Sequence, residues 1–518
     1  MTLQAARPTV KSLAWTLAHH AGAVPDCIAC ESAEGPVTYA GLWEAVGRCA
    51  TFLQESSDVG DRVALQLPNG ADLIAIAYAC YLTGRVVVPL HAEARLPAVA
   101  AALRDCRPQL FIHSREWRCS TEDREVLAGL AAVTSAEAVF AGRSATLAPT
   151  AVASNQLARL VYTSGTTGAP KAVQLSHHNL ASNARAIADY LELTPADRGL
   201  CQLPFTYAYG NSMLDSHLVA GATLVLEAQA SFPARLAEAL TRSRATGFSA
   251  VAATYVLLLD SGALQKTDLS RLRYVTQAGS RMAADRLAEL RAVLGPSVSI
   301  YAMYGQTEAT SRLTFLPPEL LASKPGSVGR AIADTAIAVW NEQDQPLSAG
   351  AVGEIVARGP SIMLGYWQQP ESTAATLTAD GWLRTGDLGY QDEDGDLYVT
   401  GRRREMIKSG AHRIAPAEIE EAAQQAAPGL RLAAVGTPDA VLGERIQLAV
   451  HWPQAAAEQE QRALRQRLLR QCKAQLPLFK MPQDVRFVAE WPQTESGKLK
   501  RTALAGIVAD QIAARDSC

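Results

Sequence analysis

The segment Val161-Tyr-Thr-Ser-Gly-Thr-Thr-Gly-Ala-Pro-Lys171 follows directly on Leu160 and passes from an apolar run into Thr163, Ser164, Gly165, Thr166, Thr167 and Gly168. So many hydroxyls and glycines describe a loop that turns donors toward an anion, because glycine lets the main chain approach closely and adopt positive φ. Phosphate oxygens are its expected targets. It is not a Walker A loop: the second glycine comes too early after Gly165, and Lys171 follows Pro170 rather than glycine.

Outward from this loop, helical patterns such as Trp43 to Glu55 and Leu96 to Asp105 alternate with short β-branched runs, Arg62-Val-Ala-Leu-Gln-Leu67 and Arg85-Val-Val-Val-Pro-Leu90. That alternation predicts an α/β fold with largely parallel strands in layers. The pattern changes near Tyr390, where Gln391-Asp-Glu-Asp-Gly-Asp-Leu-Tyr-Val-Thr-Gly401 reads as a hairpin through an Asp-Gly turn. The charged run Arg402-Arg-Arg-Glu405 follows at once. A domain boundary is expected there, separating a large N-terminal domain of layered α/β subdomains, 1–401, from a small α+β domain, 402–518.

The chain of 518 residues is long enough for two or more cores, and 48% hydrophobic with 19% charged residues is ordinary for a folded protein. A net charge of −3 argues against a general nucleic-acid partner. From Arg402 onward 18 Lys and Arg stand against 13 Asp and Glu, leaving 30 against 38 before it. The basic C-terminal part fits either an anionic ligand or a solvated charged face. The nine cysteines show no metal-site spacing and read as reduced thiols, which with the absence of a clean leader or membrane-length apolar run predicts a cytoplasmic protein without a membrane span. The longest apolar run, Leu73 to Leu82, is about half a bilayer span.

Four further segments complete a pattern: Tyr304-Gly-Gln-Thr-Glu308, Gly381-Trp-Leu-Arg-Thr-Gly-Asp387, Gly401-Arg-Arg-Arg-Glu-Met-Ile-Lys-Ser-Gly-Ala-His-Arg-Ile414 and Thr494-Glu-Ser-Gly-Lys-Leu-Lys500. With Tyr162 to Lys171 they occur in the order of the adenylate-forming superfamily, which the chain resembles over essentially its whole length, in the manner of acyl-CoA synthetases and acyl-AMP ligases. The resemblance implies an ATP- and Mg²⁺-dependent ligase. A carboxylic acid is joined to AMP with release of pyrophosphate, and its acyl group then passes to a thiol. The small domain is implied to be a mobile lid on a hinge.

Residue by residue, the resemblance assigns the 163–168 loop and Lys171 to the phosphates, and Glu308 with Thr166 to Mg²⁺, a hard cation that takes oxygen ligands. Tyr304, Gly305 and Gln306 fall at the adenine and Thr307 at the α-phosphate. Gly279 and Ser280, in Gln277-Ala-Gly-Ser280, resemble the segment between the adenine and acyl pockets. Asp387 matches the acceptor of both ribose hydroxyls, reinforced by Arg402. Lys498 matches the catalytic lysine, a point charge bridging the substrate carboxylate and the α-phosphate as charge develops. Arg404 occupies the hinge position, and Arg413 matches an arginine that holds phosphate during thioester formation. Ala411 stands where the family usually has glycine beside the pantetheine tunnel.

The run Pro204-Phe-Thr-Tyr-Ala-Tyr-Gly-Asn211 matches the segment bordering the acyl pocket. Amino-acid-activating relatives carry aspartate where this chain has Thr206, and an unpaired buried ammonium is costly, so an α-amino acid is disfavoured. Tyr207, Gly210, Thr254, Ala278 and Met303 are expected to shape the pocket, with Tyr209 and Tyr255 either lining it or belonging to a structural aromatic cluster. Fatty, hydroxylated and aryl acids all fit. CoA is the expected acceptor, with the phosphopantetheine arm of an acyl or peptidyl carrier protein as the alternative. A catalytically silent acid or nucleotide binder and a luciferase-like oxygenase complete the readings.

Overall fold

A computed structural model describes residues 12–114, 120–142, 151–163, 171–227, 232–409, 412–439, 442–452, 458–494 and 499–516. The chain divides into two compact units, Met1–Ile337 with Val356–Leu383 and Ala338–Ile355 with Arg384–Cys518.

In the first unit the two β-branched runs form strands β1 (Arg62–Gln66) and β2 (Val86–Pro89), parallel to each other. Between them lies α1 (Ala71–Thr83), buried at every residue from Leu73 to Thr83. A helix apolar on all sides has to be enclosed on all sides, so the Leu73–Leu82 run is a core helix. Among the described residues no helix is long and apolar enough to cross a membrane. Strand β3 (Leu157–Thr163) lies parallel to β2 and is followed by antiparallel β4 (Lys171–Ser176). With Leu110–His113, Ala132–Ser135 and Gly365–Tyr366 they form a seven-stranded sheet.

A second, nine-stranded sheet contains four neighbouring parallel strands, β5 (Arg198–Cys201), β6 (Gly247–Val251), β7 (Tyr274–Ala278) and β8 (Ser299–Tyr304). Two helices of this unit bear on the site: α2 (His177–Tyr190), started by a capping box of Ser176 and Asn179, and α3 (Ala208–Ala220). Capping boxes satisfy N-terminal donors that would otherwise stay orphaned, which fixes where the helix begins.

The interior carries an ionised seam. Arg159 of β3, 2% exposed, lies 3.6 Å from Asp215 of α3 and donates to the Tyr81 hydroxyl. Asp215 also accepts from Tyr78 at 3.2 Å and Asn211 at 2.7 Å. Nearby in sequence, His217 contacts the Met213 carbonyl through Nδ1 at 2.8 Å and the Tyr274 hydroxyl through Nε2 at 2.9 Å. Burial pulls the pKa of His217 down to about 4, and burial with Arg159 beside it does the same to His177. Both rings are neutral in the fold, whereas an unfolded histidine titrates near ~6.5. Their stabilisation is therefore complete above ~6.5 and is lost as pH falls through the folded values, by about 3 kcal/mol each at the acid limit. The urea midpoint is expected to drop over that window, and His217→Asn to flatten part of the drop; an unchanged slope contradicts the assignment.

In the second unit, β9 (Leu383–Gln391) and β10 (Leu397–Arg402) pair antiparallel through the expected Asp-Gly turn, with Gly395 at φ 81°. Ala336–Trp340 and Gly353–Arg358, of which Ala338–Trp340 and Gly353–Ile355 fall in this unit, complete a four-stranded sheet. Beyond Arg404 a five-stranded sheet is covered by helices Pro416–Gln424, Glu458–Gln475 and Arg501–Asp516. Arg501 ties this part together, pairing with Glu405 at 3.2 Å and Glu420 at 2.5 Å and donating to the Ala434 carbonyl at 2.8 Å. The same unit takes in Ala338–Ile355 and Arg384–Gly401 ahead of that segment.

Candidate active site

The carboxyl ends of β5 to β8 collect residues that are far apart in sequence. Beyond β5 runs Pro204–Asn211 into α3, beyond β6 comes Thr254, beyond β7 come Gly279 and Ser280, and beyond β8 come Gly305 to Glu308. Open α/β sheets bind ligands outside the carboxyl ends of their strands, because adjacent loops diverge there and leave a crevice. Gln277 fixes one of these turns by donating through Nε2 to the Ser280 carbonyl.

At the end of β8 the backbone is tightly constrained. A Cβ on Gly305 would lie 1.8 Å from the Ser311 carbonyl oxygen and 2.9 Å from the Arg312 Cα, so only glycine fits. Thr307–Ala309 makes a single 3₁₀ turn, closed by Thr310 at φ 63° and held by a 2.7 Å hydrogen bond from its hydroxyl to the Ser361 carbonyl. A β-branched residue at positive φ is costly, so the surrounding contacts over-determine this turn.

Glu308 is thereby presented at a fixed place. Its Oε1 accepts from the Tyr366 hydroxyl at 2.9 Å, and its backbone carbonyl accepts from Met363 N–H at 2.9 Å. The Tyr366 ring in turn lies 4.8 Å under Lys171 Nζ, which contacts Ser372 Oγ at 3.1 Å. Thr163 and Lys171 face each other across the β3–β4 pair, with the Thr163 hydroxyl 3.3 Å from the Lys171 carbonyl. One chain of contacts thus joins the cation at the end of the anion loop to the carboxylate assigned to Mg²⁺. Oε2 of Glu308 has no hydrogen-bond partner among the described residues, which fits an oxygen ligand for a hard cation.

The expected pocket residues divide. Ala278 and Met303 are buried and share a cluster with Tyr190, Tyr209, Tyr301 and Phe315. Gly210 is needed where α3 passes the preceding loop, since a Cβ there would lie 2.4 Å from the Pro204 carbonyl oxygen. Tyr207 caps the start of α3 with its ring 6.1 Å from His91, and Thr254 is half-buried. Tyr255 belongs to the core instead: it is 1% exposed and its hydroxyl donates to the Phe248 and Thr276 carbonyls. The Tyr209 hydroxyl is likewise held, at 2.9 Å from the Thr276 carbonyl. Thr206 Oγ1, Gln202 Nε2 and Gln306 Nε2 are buried without a partner among the described residues, as expected of groups waiting for a polar ligand.

In the second unit Asp387, 3% exposed, sits opposite Arg402 in the β9–β10 ladder, with Arg402 Nε 2.9 Å from its Oδ1. Arg403 pairs with Glu354 at 3.0 Å, and Arg404 is exposed. Ser164, Gly165, Thr166, Thr167, Gly168, Ala411 and Lys498, with the side chain of Arg413, lie outside the described residues. The sequence did not single out Tyr366, Ser372 or Arg312. Arg312 had a signal, a lone charge between Ser311 and Leu313; Tyr366 had none, being 58 residues from the glutamate it touches.

Residues 17–367 match the family model of the AMP-binding enzyme, and residues 418–498 that of the AMP-binding enzyme C-terminal domain. The chain is 34% identical to the indoleacetate–CoA ligase of Aromatoleum aromaticum, covering 95% of this chain and 97% of that protein. Among solved structures it is similar to ATP-bound MatB from Rhodopseudomonas palustris, at 29% identity and TM-score 0.86 over 96% of this chain and 99% of that one. It is also similar to o-succinylbenzoate CoA synthetase from Bacillus subtilis in complex with an acyl-adenylate intermediate, at 28% identity and TM-score 0.84 over 94% and 97%.

Proposed function

The chain belongs to the AMP-binding enzyme family, and from that premise we propose that it activates a carboxylic acid with ATP and then forms its CoA thioester. The observation that carries this reading is the run Lys171–Tyr366–Glu308, which reaches from the start of β4 to the turn beyond β8 and joins the cation assigned to the phosphates with the carboxylate assigned to Mg²⁺ in one connected array. The named CoA ligase and the acyl-adenylate complex among its relatives support the same two steps.

In the first step a carboxylate oxygen attacks the α-phosphorus of ATP, the bond to the bridging oxygen breaks, and pyrophosphate leaves. Mg²⁺, when bound, neutralises phosphate charge. Glu308 and Thr166 are assigned to hold it, and Lys171 with the 163–168 loop to hold the phosphates. Thr307 donates at the α-phosphate, Tyr304, Gly305, Gln306, Gly279 and Ser280 enclose the base, and Lys498 stabilises charge as it develops. Asp387 accepts the ribose hydroxyls, with Arg402 orienting its carboxylate. In the second step a CoA thiolate attacks the acyl carbon and AMP leaves, with Arg413 assigned to its phosphate. The part from 402 onward turns about Arg404 between the steps. Free cysteines, mostly buried, agree with a reducing cytoplasmic setting.

Gly305→Ala is expected to shift the Thr307–Glu308 turn and to lower acid-dependent pyrophosphate release by at least about tenfold, since small misplacements of catalytic groups cost rate steeply. Unchanged turnover in the folded variant counts against the turn's role. The reading as a whole is tested by pyrophosphate release with ATP and Mg²⁺ over fatty, hydroxylated, aryl and amino acids, with and without CoA. Release that needs one acid class and accelerates with CoA supports it. Release that stalls near one equivalent and ignores CoA points to a carrier protein as acceptor, and none with any acid overturns it.

A further inference from the structure

Arg312 is 3% exposed, yet its guanidinium has no carboxylate partner among the described residues. Nε donates to the Tyr190 hydroxyl at 3.2 Å, and the guanidinium lies 5.0 Å over the Tyr209 ring. The described residues make no hydrogen bond to Nη1 or Nη2, so the terminal nitrogens are left to accessible space beside the ring. The backbone holds the residue firmly: its N–H donates to Asn183 Oδ1 at 3.4 Å, and its carbonyl accepts from Asn183 Nδ2 at 3.0 Å.

Its surroundings include Ala278 and Met303, two of the residues expected to shape the acyl pocket. The Tyr190 hydroxyl contacts Met303 Sδ at 3.1 Å, Tyr190 stacks on Phe315 at 4.2 Å, and Tyr190, Tyr209, Ala278 and Met303 belong to one cluster. A guanidinium taken out of water normally meets an anion or a full set of acceptors, because its desolvation is otherwise uncompensated. The ring and the single hydroxyl use one edge and one face of the group. The two terminal nitrogens, a planar fork suited to an oxyanion, remain. Arg159, by contrast, has Asp215 as its internal counter-ion.

We propose that Arg312 reads a second anionic group on the substrate acid, so that the enzyme activates acids carrying a carboxylate or sulfonate in addition to the reacting carboxylate. This inference rests on the ligase reading and narrows its substrate class. A cation at this place also opposes the ammonium of an α-amino acid, in the same direction as Thr206.

The test compares kcat/KM for pyrophosphate release with succinate, glutarate, adipate and pimelate against butyrate, valerate, hexanoate and heptanoate, and with 3-sulfopropionate, in the wild type, Arg312→Gln and Arg312→Lys. The wild type is expected to prefer a doubly anionic acid of one length by at least about tenfold over the matched monoacid. Arg312→Gln abolishes that preference chiefly through KM while leaving monoacids within a few-fold, and Arg312→Lys restores part of it. The same acid should raise the Tm of the wild type and not of Arg312→Gln. A wild type that prefers monoacids overturns the proposal and leaves the ligase reading intact. Equal losses for both acid types in Arg312→Gln also overturn it, since Arg312 then serves the common reaction or the fold. No release with any acid overturns both readings.

Discussion

Lys498→Ala lowers the rate of acyl-AMP formation on the order of 10²–10³-fold, the usual consequence of removing one preorganised charge-stabilising donor. The expectation rests on the chemistry of the step and on the placement of Lys498 in Ser496-Gly497-Lys498, the last residues of the matched C-terminal family segment. Two anions must meet before pyrophosphate can leave, so a compact cation with three donors acts where charge accumulates. It has no such work in the second half-reaction, where a thiolate attacks a neutral acyl carbon. Thioester formation from supplied acyl-AMP is therefore expected to survive in Lys498→Ala. Stopped-flow measurement of the two half-reactions separates these outcomes, and equal loss in both defeats the division of labour assigned to the moving part.

Arg159→Met is expected to destabilise the protein by about 3–5 kcal/mol at neutral pH, because it leaves the Asp215 carboxylate buried with its counter-ion removed. Asp215 is 2% exposed, and burial already pushes its pKa up to about 6, with Arg159 pulling it back. A folded value above the unfolded ~3.9 means that this group favours folding below ~3.9 and loses that advantage as pH rises through its folded pKa. Without Arg159 the folded pKa rises further, so the destabilisation should be smaller at mildly acid pH than at neutral pH. The double variant Arg159→Met with Asp215→Leu should recover most of the loss, as apolar replacement of a whole buried pair often does. Urea unfolding of the three variants at both pH values checks this; an additive double variant would show that the pair is not coupled. Activity should fall with stability, since Arg159 lies on the strand that runs into the anion loop and Asp215 on the helix that follows the pocket segment.

What the sequence revealed and what it hid follow from the range of the interactions involved. The strands at Arg62 and Val86, the core helix between them and the hairpin before Arg402 were legible because periodicity and turn chemistry act within a few residues. Gly305 and Glu308 were legible because one short segment carries them. The support of Glu308 by Tyr366, the seating of Lys171 on the same ring and the use of the Tyr255 hydroxyl inside the core depend on chain segments brought together only by folding. Arg402 could be matched to the ribose contact, but its place opposite Asp387 came from the register of the ladder. The extension of the second compact unit back to Ala338 has the same origin, since pairing between strands distant in sequence joins it to the residues after Arg384.

The central claim is that the acid is activated as an adenylate before any thiol takes part. Its most direct test is exchange of labelled pyrophosphate into ATP, with Mg²⁺, the preferred acid and no CoA. Label entering ATP only when the acid is present is the expected result, because pyrophosphate must then be released from and returned to a bound acyl-AMP. Acid- and CoA-dependent ATP consumption that yields ADP and phosphate, with no pyrophosphate exchange, would contradict it.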